Sequence, residues 1–406
     1  MTTKKQRHFC FLQGNASPFF LALGKGLDAQ EHRVSRINIC GGDWLFWGDW
    51  NAIDYTGDEA DYGDFVAAYC AREGVTDLVL HNDCRTTHRD AIIKTKEQGV
   101  VAWVFEEGYL RPNWLTLEKG GINGFSSLSK DPTCYYEIAD KLPPFDPGVP
   151  VGAGLRGRVM ADFRWQWANY RYFYRYPKYR THRPYPIWAE YLTWAKRLLS
   201  LKWKRRQARR LIEVFTVQPK PYFVFPLQLD SDSQIRIHSP FDRLPAAIDT
   251  VVVDFATHAP NDTHLIIKNH PLDNGWINYA RQIRRLGMSL NIKNRIHFID
   301  GGDLGVLLDH ARGLVTVNST VGFAALDHEC PVICLGAAVY DVVGLTDQGE
   351  LKDFWVNPAP LDTELYEKFK ITVFSTCLVN GNYYSGRGVM LAVKNSIQKM
   401  EHYPNE

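Results

Sequence analysis

The sequence predicts an α/β protein built from two Rossmann-like domains facing a cleft, with a basic, aromatic helical segment between them. Three observations carry this expectation. Two series of short apolar runs alternate with helix-like segments, the pattern of parallel strands joined by crossover helices. The 406 residues exceed what one ordinary core fills, so two domains are expected. A stretch of quite different composition separates the two series.

The first series has apolar runs at 8–13, 36–40, 77–81 and 100–105. The second has runs at 222–225, 264–268, 295–299, 314–317 and 331–335, with helical spacing over 276–286 and 303–311. Short continuous apolar runs bounded by turn residues read as strands buried on both faces. The expected boundaries are an N-terminal Rossmann-like domain over 1–155 and a helical linker or membrane-contact segment over 156–217. A C-terminal Rossmann-like domain over 218–384 follows, and a last helix over 385–406 packs back on the first domain.

Between Arg156 and Arg210 stand sixteen Lys and Arg against two acids, Asp162 and Glu190. Trp165, Trp167, Trp188, Trp194, Trp203 and a run of tyrosines are interleaved with those charges. Trp194, Leu198, Leu201, Ala208, Ile212 and Phe215 recur at mostly three- and four-residue intervals, with Arg205 as the misfit, which predicts an amphipathic helix with a basic polar face. Such a segment can settle on an anionic membrane, with its aromatics at headgroup level. Alternatively its aromatics pack internally and its charges face water. Nucleic acid is a poorer partner, because no recognition fold accompanies the composition.

The net charge of +2 specifies no partner. Eight scattered cysteines, of which Cys330 and Cys334 are closest, lack zinc-site spacing and read as buried thiols. Neither a signal-peptide run nor a stretch of the ~20 apolar residues needed to span a bilayer is present. The expectation is a cytoplasmic protein, peripheral on a membrane.

Chemically capable residues follow the predicted strands, where ligands bind in doubly wound sheets. In LQGNASPFF, Gly14 permits a tight turn, Asn15 follows it, and Ser17 and Pro18 suit the start of a helix. The turn can face an anion or sugar, or be purely structural. In FEEGYLRPNW, Glu106 or Glu107 can accept a proton from an acceptor hydroxyl, and Arg111 can pair with a carboxylate or phosphate. A solvated acidic turn closed by an ion pair is the plainer alternative. In FPLQLDSDSQI, Asp230 and Asp232 near Gln228 can bind a metal, act as a nucleophile or cap a helix. In LIIKNHPLDNG, Lys268 and His270 can hold a nucleotide phosphate and stabilise a leaving group. In LVTVNSTVGFAAL, Asn318, Ser319 and Thr320 bring hydroxyls and free N–H groups to a helix N-terminus, a phosphate site.

The ordered set EEGYLRP, QLDSDSQI, KNHPLDNG, VNSTVGFAAL and VYDVVGLT resembles the KpsS (LipB) family of capsule polysaccharide proteins, with KpsC as a more distant relative. That resemblance implies a GT-B-like fold and a β-Kdo transferase that uses CMP-Kdo with retention at the anomeric carbon. The acceptor it implies is a lysophosphatidylglycerol-type lipid at the inner membrane, where the enzyme adds the first Kdo of the capsule linker. By resemblance His270, Ser319 and Thr320 contact the CMP phosphate, helped by Lys268, with Asn318 and Gln228 beside them. Asp232 is the nucleophile, with Asp230 as the alternative, and Glu106 or Glu107 assists acid–base chemistry. Gly14, Asn15 and Arg111 fall on the acceptor side. The scheme needs no metal and no cofactor beyond the donor; KpsC and the capsule export machinery are expected partners. Competing readings are a nucleotide-sugar epimerase or hydrolase on the same fold, and a non-catalytic export or scaffold component.

Overall fold

The computed structural model describes residues 5–110, 112–152, 154–181, 187–218 and 220–402. Its first elements are β1 (His8–Phe11), α1 (Phe19–Asp28), β2 (Arg33–Asn38), α2 (Gly41–Trp47), β3 (Ala52–Asp54) and α3 (Tyr62–Glu73). Next come β4 (Asp77–His81), α4 (Thr86–Lys96), β5 (Val101–Glu107), β6 (Trp114–Lys119), α5 (Thr133–Ala139), α6 (Leu155–Arg171) and α7 (Ile187–Val217). The chain continues through β7 (Tyr222–Pro226), α8 (Ser233–His238), α9 (Leu244–His258), β8 (His264–Lys268), α10 (Tyr279–Ser289), β9 (Ile296–Ile299) and α11 (Leu304–Leu308). It closes with β10 (Gly313–Thr316), α12 (Val321–Asp327), β11 (Val332–Cys334), α13 (Leu351–Phe354), α14 (Thr363–Cys377), β12 (Leu378–Asn380) and α15 (Gly386–His402).

These elements form two compact units. One comprises Met1–Ser127, Leu142–His182 and Lys370–Glu406; the other, Leu128–Lys141 and Arg183–Phe369. The division cuts across the expected linear boundaries, since 128–141 joins the second unit and the basic segment is shared between both. Packing explains the first exchange: Tyr135 of α5 is fully buried and meets Phe369 of α14 edge-on at 5.0 Å.

Among the described residues the first unit holds a seven-stranded sheet of order β12-β6-β5-β4-β1-β2-β3. Strands β1 to β5 are parallel, while β6 runs antiparallel to both β5 and β12. Alternate side chains serve opposite faces, as a pleated strand requires. Phe9, Phe11, Val79, Trp103 and Phe105 enter one core with α1 and α15, and Cys10, Leu12, Leu78, Leu80 and Val104 enter the other with α3. Helix α6 lies against α2, where a Cβ on Gly41 or Gly42 would collide with Ala168 or Trp165. Close approach accounts for that glycine pair.

The second unit holds a five-stranded, wholly parallel sheet of order β11-β10-β7-β8-β9. Phe223, Phe225, Leu265, Ile267 and Val315 fill one core with α9 and Trp355. On the other face, Phe215 of α7 meets Tyr222, His264 and His297 at ring distances of 5.2–5.3 Å.

Helix α7 forms as expected, but its buried stripe is shifted at the N-terminal end. Ala208, Ile212 and Phe215 are buried, whereas Leu198 is 58 % exposed and Arg197 is 5 % exposed. The inward positions follow 197, 201, 204, 208, 212 and 215, so Arg197 replaces Leu198 on the packed face. Acidic Asp300 on the sheet side makes that possible, binding Arg197 at 2.6 Å and Lys204 at 3.1 Å. A buried guanidinium is tolerated only when paired and hydrogen-bonded.

Candidate functional site

The second sheet begins at β7 in its centre, runs outward through β8 to β9, then returns to the other side of β7 for β10 and β11. Its chain direction therefore reverses between β7 and β10. Ligands of open parallel sheets settle in the crevice beyond the strand ends at such a reversal. Gln228 follows β7 and Asn318 follows β10, and the two bind each other across it. Gln228 Nε2 donates to Asn318 Oδ1 at 2.9 Å, and Asn318 N donates to Gln228 Oε1 at 3.2 Å.

The two aspartates after β7 are helix caps. Asp232 caps α8, accepting from Gln234 N at 3.0 Å. Asp230 has both oxygens engaged, one by Leu244 N at the start of α9 (3.1 Å) and the other by Arg243 (2.8 Å). The resemblance favours Asp232 over Asp230, and Asp230 is the one of the two that pairs with an arginine.

After β8, burial pushes the Lys268 ammonium below its ordinary range, partly offset by Asp300 and Asp303. His270 Nδ1 accepts from Leu272 N at 3.0 Å, so the proton of the neutral ring sits on Nε2. The loop bearing it is held from α7. Arg197 donates to the carbonyls of His270 (3.1 Å), Pro271 (3.0 Å) and Asp273. A cavity of about 250 Å³ opens here, lined among others by Lys196, Arg197, Asn269 and Asp273, but not by Asp230, Asp232, Ser319 or Thr320. After β10, the expectation of several free N–H groups is corrected. Ser319 N donates to Thr316 Oγ1, Val321 N to Ser319 Oγ, and Gly322 N to Ser319 O. The short turn before α12 thus engages three of its own N–H groups, while Tyr340 holds the Ser319 carbonyl.

The first sheet reverses between β1 and β4, and a second polar group lies there. Gly14 follows β1 with no left-handed backbone; a Cβ would press on Phe20 at 2.9 Å, so close approach rather than turn strain explains it. Ser17 accepts from Phe19 N and donates to Tyr383 O, with Pro18 at the cap of α1 rather than inside it. Asn15 lies beside Tyr384. Glu106 and Glu107 end β5 and enter a hairpin with β6. Glu106 accepts from Asn82 Nδ2 at 2.8 Å, and Glu107 pairs with Arg158 of α6 at 3.2 Å. Arg111 lies outside the described residues.

Structure thus brings Gln228, Asp230, Asp232, Lys268, His270, Asn318, Ser319 and Thr320 to the strand ends of one sheet, and Gly14, Asn15, Glu106 and Glu107 to those of the other. Sequence reasoning missed His81, Arg85 and Arg158 in the first unit and Arg197 in the second. His81 carried a usable signal, since it ends an apolar strand as Lys268 does.

Residues 76–384 match the family described as capsule polysaccharide biosynthesis protein. The capsule polysaccharide modification protein LipB of Neisseria meningitidis serogroup A is 34 % identical, over 92 % of this chain and 91 % of its own length. The capsule polysaccharide export protein KpsS of Escherichia coli is 30 % identical, over 93 % of this chain and 97 % of its own length. Among solved structures, a Thermosulfurimonas dismutans KpsC described as a β-Kdo 2,7 transferase is similar with a TM-score of 0.41 and 14 % identity, over 90 % of this chain and all of its own. From these strand-end motifs and the extent of the match, the chain belongs to the capsule polysaccharide biosynthesis protein family.

Proposed function

We propose that this protein is a retaining β-Kdo glycosyltransferase, moving Kdo from CMP-Kdo to a lysophosphatidylglycerol-type lipid to begin the Kdo linker of a capsular polysaccharide. The observation that carries the reading is the gathering of Asp232, Lys268, His270, Asn318, Ser319 and Thr320 at adjacent strand ends around the reversal of one parallel sheet. Kinship with capsule proteins narrows the pathway.

In this reading Lys268 and the Nε2–H of His270 take the CMP phosphate, and the Ser319 and Thr320 hydroxyls share its charge. Placing donors where negative charge develops lowers the barrier to departure. The Asp232 carboxylate attacks the anomeric carbon as the bond to CMP breaks, giving a Kdo–enzyme ester. An acceptor hydroxyl then displaces Asp232, its proton passing to a general base, and the two inversions restore the starting configuration. The acceptor-side role falls to the first unit, with Glu106 and Glu107 as its acid–base candidates. The positive groups serve the phosphate, so the scheme uses no metal.

The basic segment supplies attachment to the inner face of the membrane. On α6 and just beyond it, Phe163, Trp167, Tyr170 and Tyr174 are 55–81 % exposed and recur on one face among arginines, while Trp165 and Ala168 are buried on the other. No helix among the described residues is long and apolar enough to cross a membrane. Peripheral binding through basic and aromatic groups would suffice, at roughly 1 kcal/mol per basic residue near an anionic surface.

The decisive experiment incubates the purified protein with CMP-Kdo and lysophosphatidylglycerol and weighs the lipid. A mass gain of one Kdo supports the reading; CMP-Kdo left intact, or cleaved to free Kdo at the same rate without lipid, defeats it. Flotation with anionic against zwitterionic vesicles checks the attachment, and equal, negligible binding to both would remove it.

A further inference from the structure

The strand ends of the first unit contain hydrogen-bonding capacity that the fold does not use. His81 closes β4, is 9 % exposed, and neither ring nitrogen has a hydrogen-bond partner among the described residues. Glu106 Oε1 stands 3.7 Å from its Nε2, outside hydrogen-bond reach. The fully buried His88 in the first turn of α4 adds a second unmade bond. Its Nδ1 donates to Asn82 O at 2.7 Å, so its Nε2 carries a lone pair, and that atom has no donor among the described residues. Buried polar groups are ordinarily paired, so such a cluster at a chain reversal marks a place built for something else.

The surroundings say what that something is. Facing His81 are Glu106 and Glu107 of β5, Arg85 after β4, Arg158 of α6, the Tyr383 ring at 5.6 Å, and His88. Burial first, then Arg85 and Arg158, depress its pKa to about 3, with Glu107 opposing. The cations nearby are already employed: Arg85 donates to Gln13 Oε1 at 2.6 Å, and Arg158 pairs with Glu107. With both ring nitrogens open, the neutral His81 imidazole offers one donor and one acceptor; a hydroxyl uses both, whereas a phosphate oxygen would leave the acceptor unmet.

We propose that His81 is a hydroxyl-binding residue, and that the strand ends of the first unit take the uncharged polyol end of the acceptor rather than its phosphate. This rests on the acceptor-side role given to the first unit above. His81 hydrogen-bonds the glycerol hydroxyls, setting the reacting oxygen beside Glu106, which Asn82 already orients.

The test compares binding of lysophosphatidylglycerol with that of a lysophosphatidylpropanol of the same acyl chain, which keeps the phosphate and lacks both hydroxyls. Tryptophan fluorescence of the full chain without donor reads affinity independently of turnover. The wild type should prefer the glycerol head by about a hundredfold, the scale on which buried groups reject a ligand lacking their partner. In His81→Phe the two lipids should bind within about threefold of each other, and His81→Asn, which keeps a donor and an acceptor, should recover part of the preference. Equal binding by the wild type, or full preference in His81→Phe, overturns the proposal; the wild-type comparison stands even if a variant fails to fold. Preference should stay level from pH 8 to pH 5, whereas tighter binding of both lipids below pH 6.5 would mean a charged imidazole on phosphate and would overturn it as well. A clear head-group preference without Kdo appearing on the lipid would sink the transferase reading and leave this one standing.

Discussion

The two sheets end in opposite chemical states. In the second unit the groups at the reversal bind each other: Gln228 with Asn318, Asp230 with Arg243, and the α12 turn with itself. The first unit leaves two imidazoles with unmade bonds beside acids held by Asn82 and Arg158. A ligand at the second unit must therefore compete with internal partners, and a strongly charged one, such as a nucleotide phosphate, does so best. An uncharged hydroxyl is enough where nothing competes.

Three changes would break or sharpen this contrast, beginning with the largest effect. Asp232→Asn should lower Kdo transfer by at least about a thousandfold while CMP affinity stays within a few-fold, measured by lipid mass and CMP titration, because a missing nucleophile removes a covalent step but no phosphate contact. Turnover at the wild-type rate would return Asp232 to a plain helix cap. Arg197→Ala should cost the second unit up to about 3–5 kcal/mol in urea unfolding, the usual result of removing one partner from a buried pair, here leaving Asp300 with Lys204 alone and three carbonyls without their donor. Arg197→Lys should recover only part, since one ammonium cannot serve three carbonyls and a carboxylate. A loss below 1 kcal/mol would show that the His270 loop stands without that prop.

The smallest effect is a pH dependence within the first unit. His81 stays neutral when folded to about pH 3 but protonates near 6.5 when unfolded, so the unfolded chain holds the extra proton between those values. Its contribution is complete above pH 6.5 and is lost as pH falls toward 3. Asp83 acts in the opposite sense: burial raises it to about 6, so the folded state binds the proton first and gains as pH falls through that value. Comparing the wild type with His81→Asn at pH 7 and pH 5 isolates the histidine. The variant should lose less stability on acidification, and parallel losses would show that His81 is charged in the folded state.

Most strands were legible because residues buried on both faces leave unbroken apolar runs, and all nine of the expected runs overlap strands. Those missed lack that mark. Residues 52–54 make a three-residue edge, 114–119 alternate with Glu118 turned inward, and 378–380 gain meaning only by pairing with β6. On α7 the stripe was misplaced because apolarity was taken as burial, whereas Asp300, remote in sequence, draws Arg197 inside. The strand-end motifs were readable from position alone. The ion pair on Asp230 was not, because Arg243 lies thirteen residues beyond it.

The placement of β12 has a consequence for how the polypeptide is made. Leu378, Val379 and Asn380 complete the edge of a sheet whose interior includes the strand of Phe9 and Phe11, and Ala392, Ser396 and Met400 of α15 are wholly buried against the same unit. During synthesis, then, the lobe that begins emerging first is the last to close. It waits, with one edge of β6 and the α1 face uncovered, until the intervening lobe has already left the ribosome.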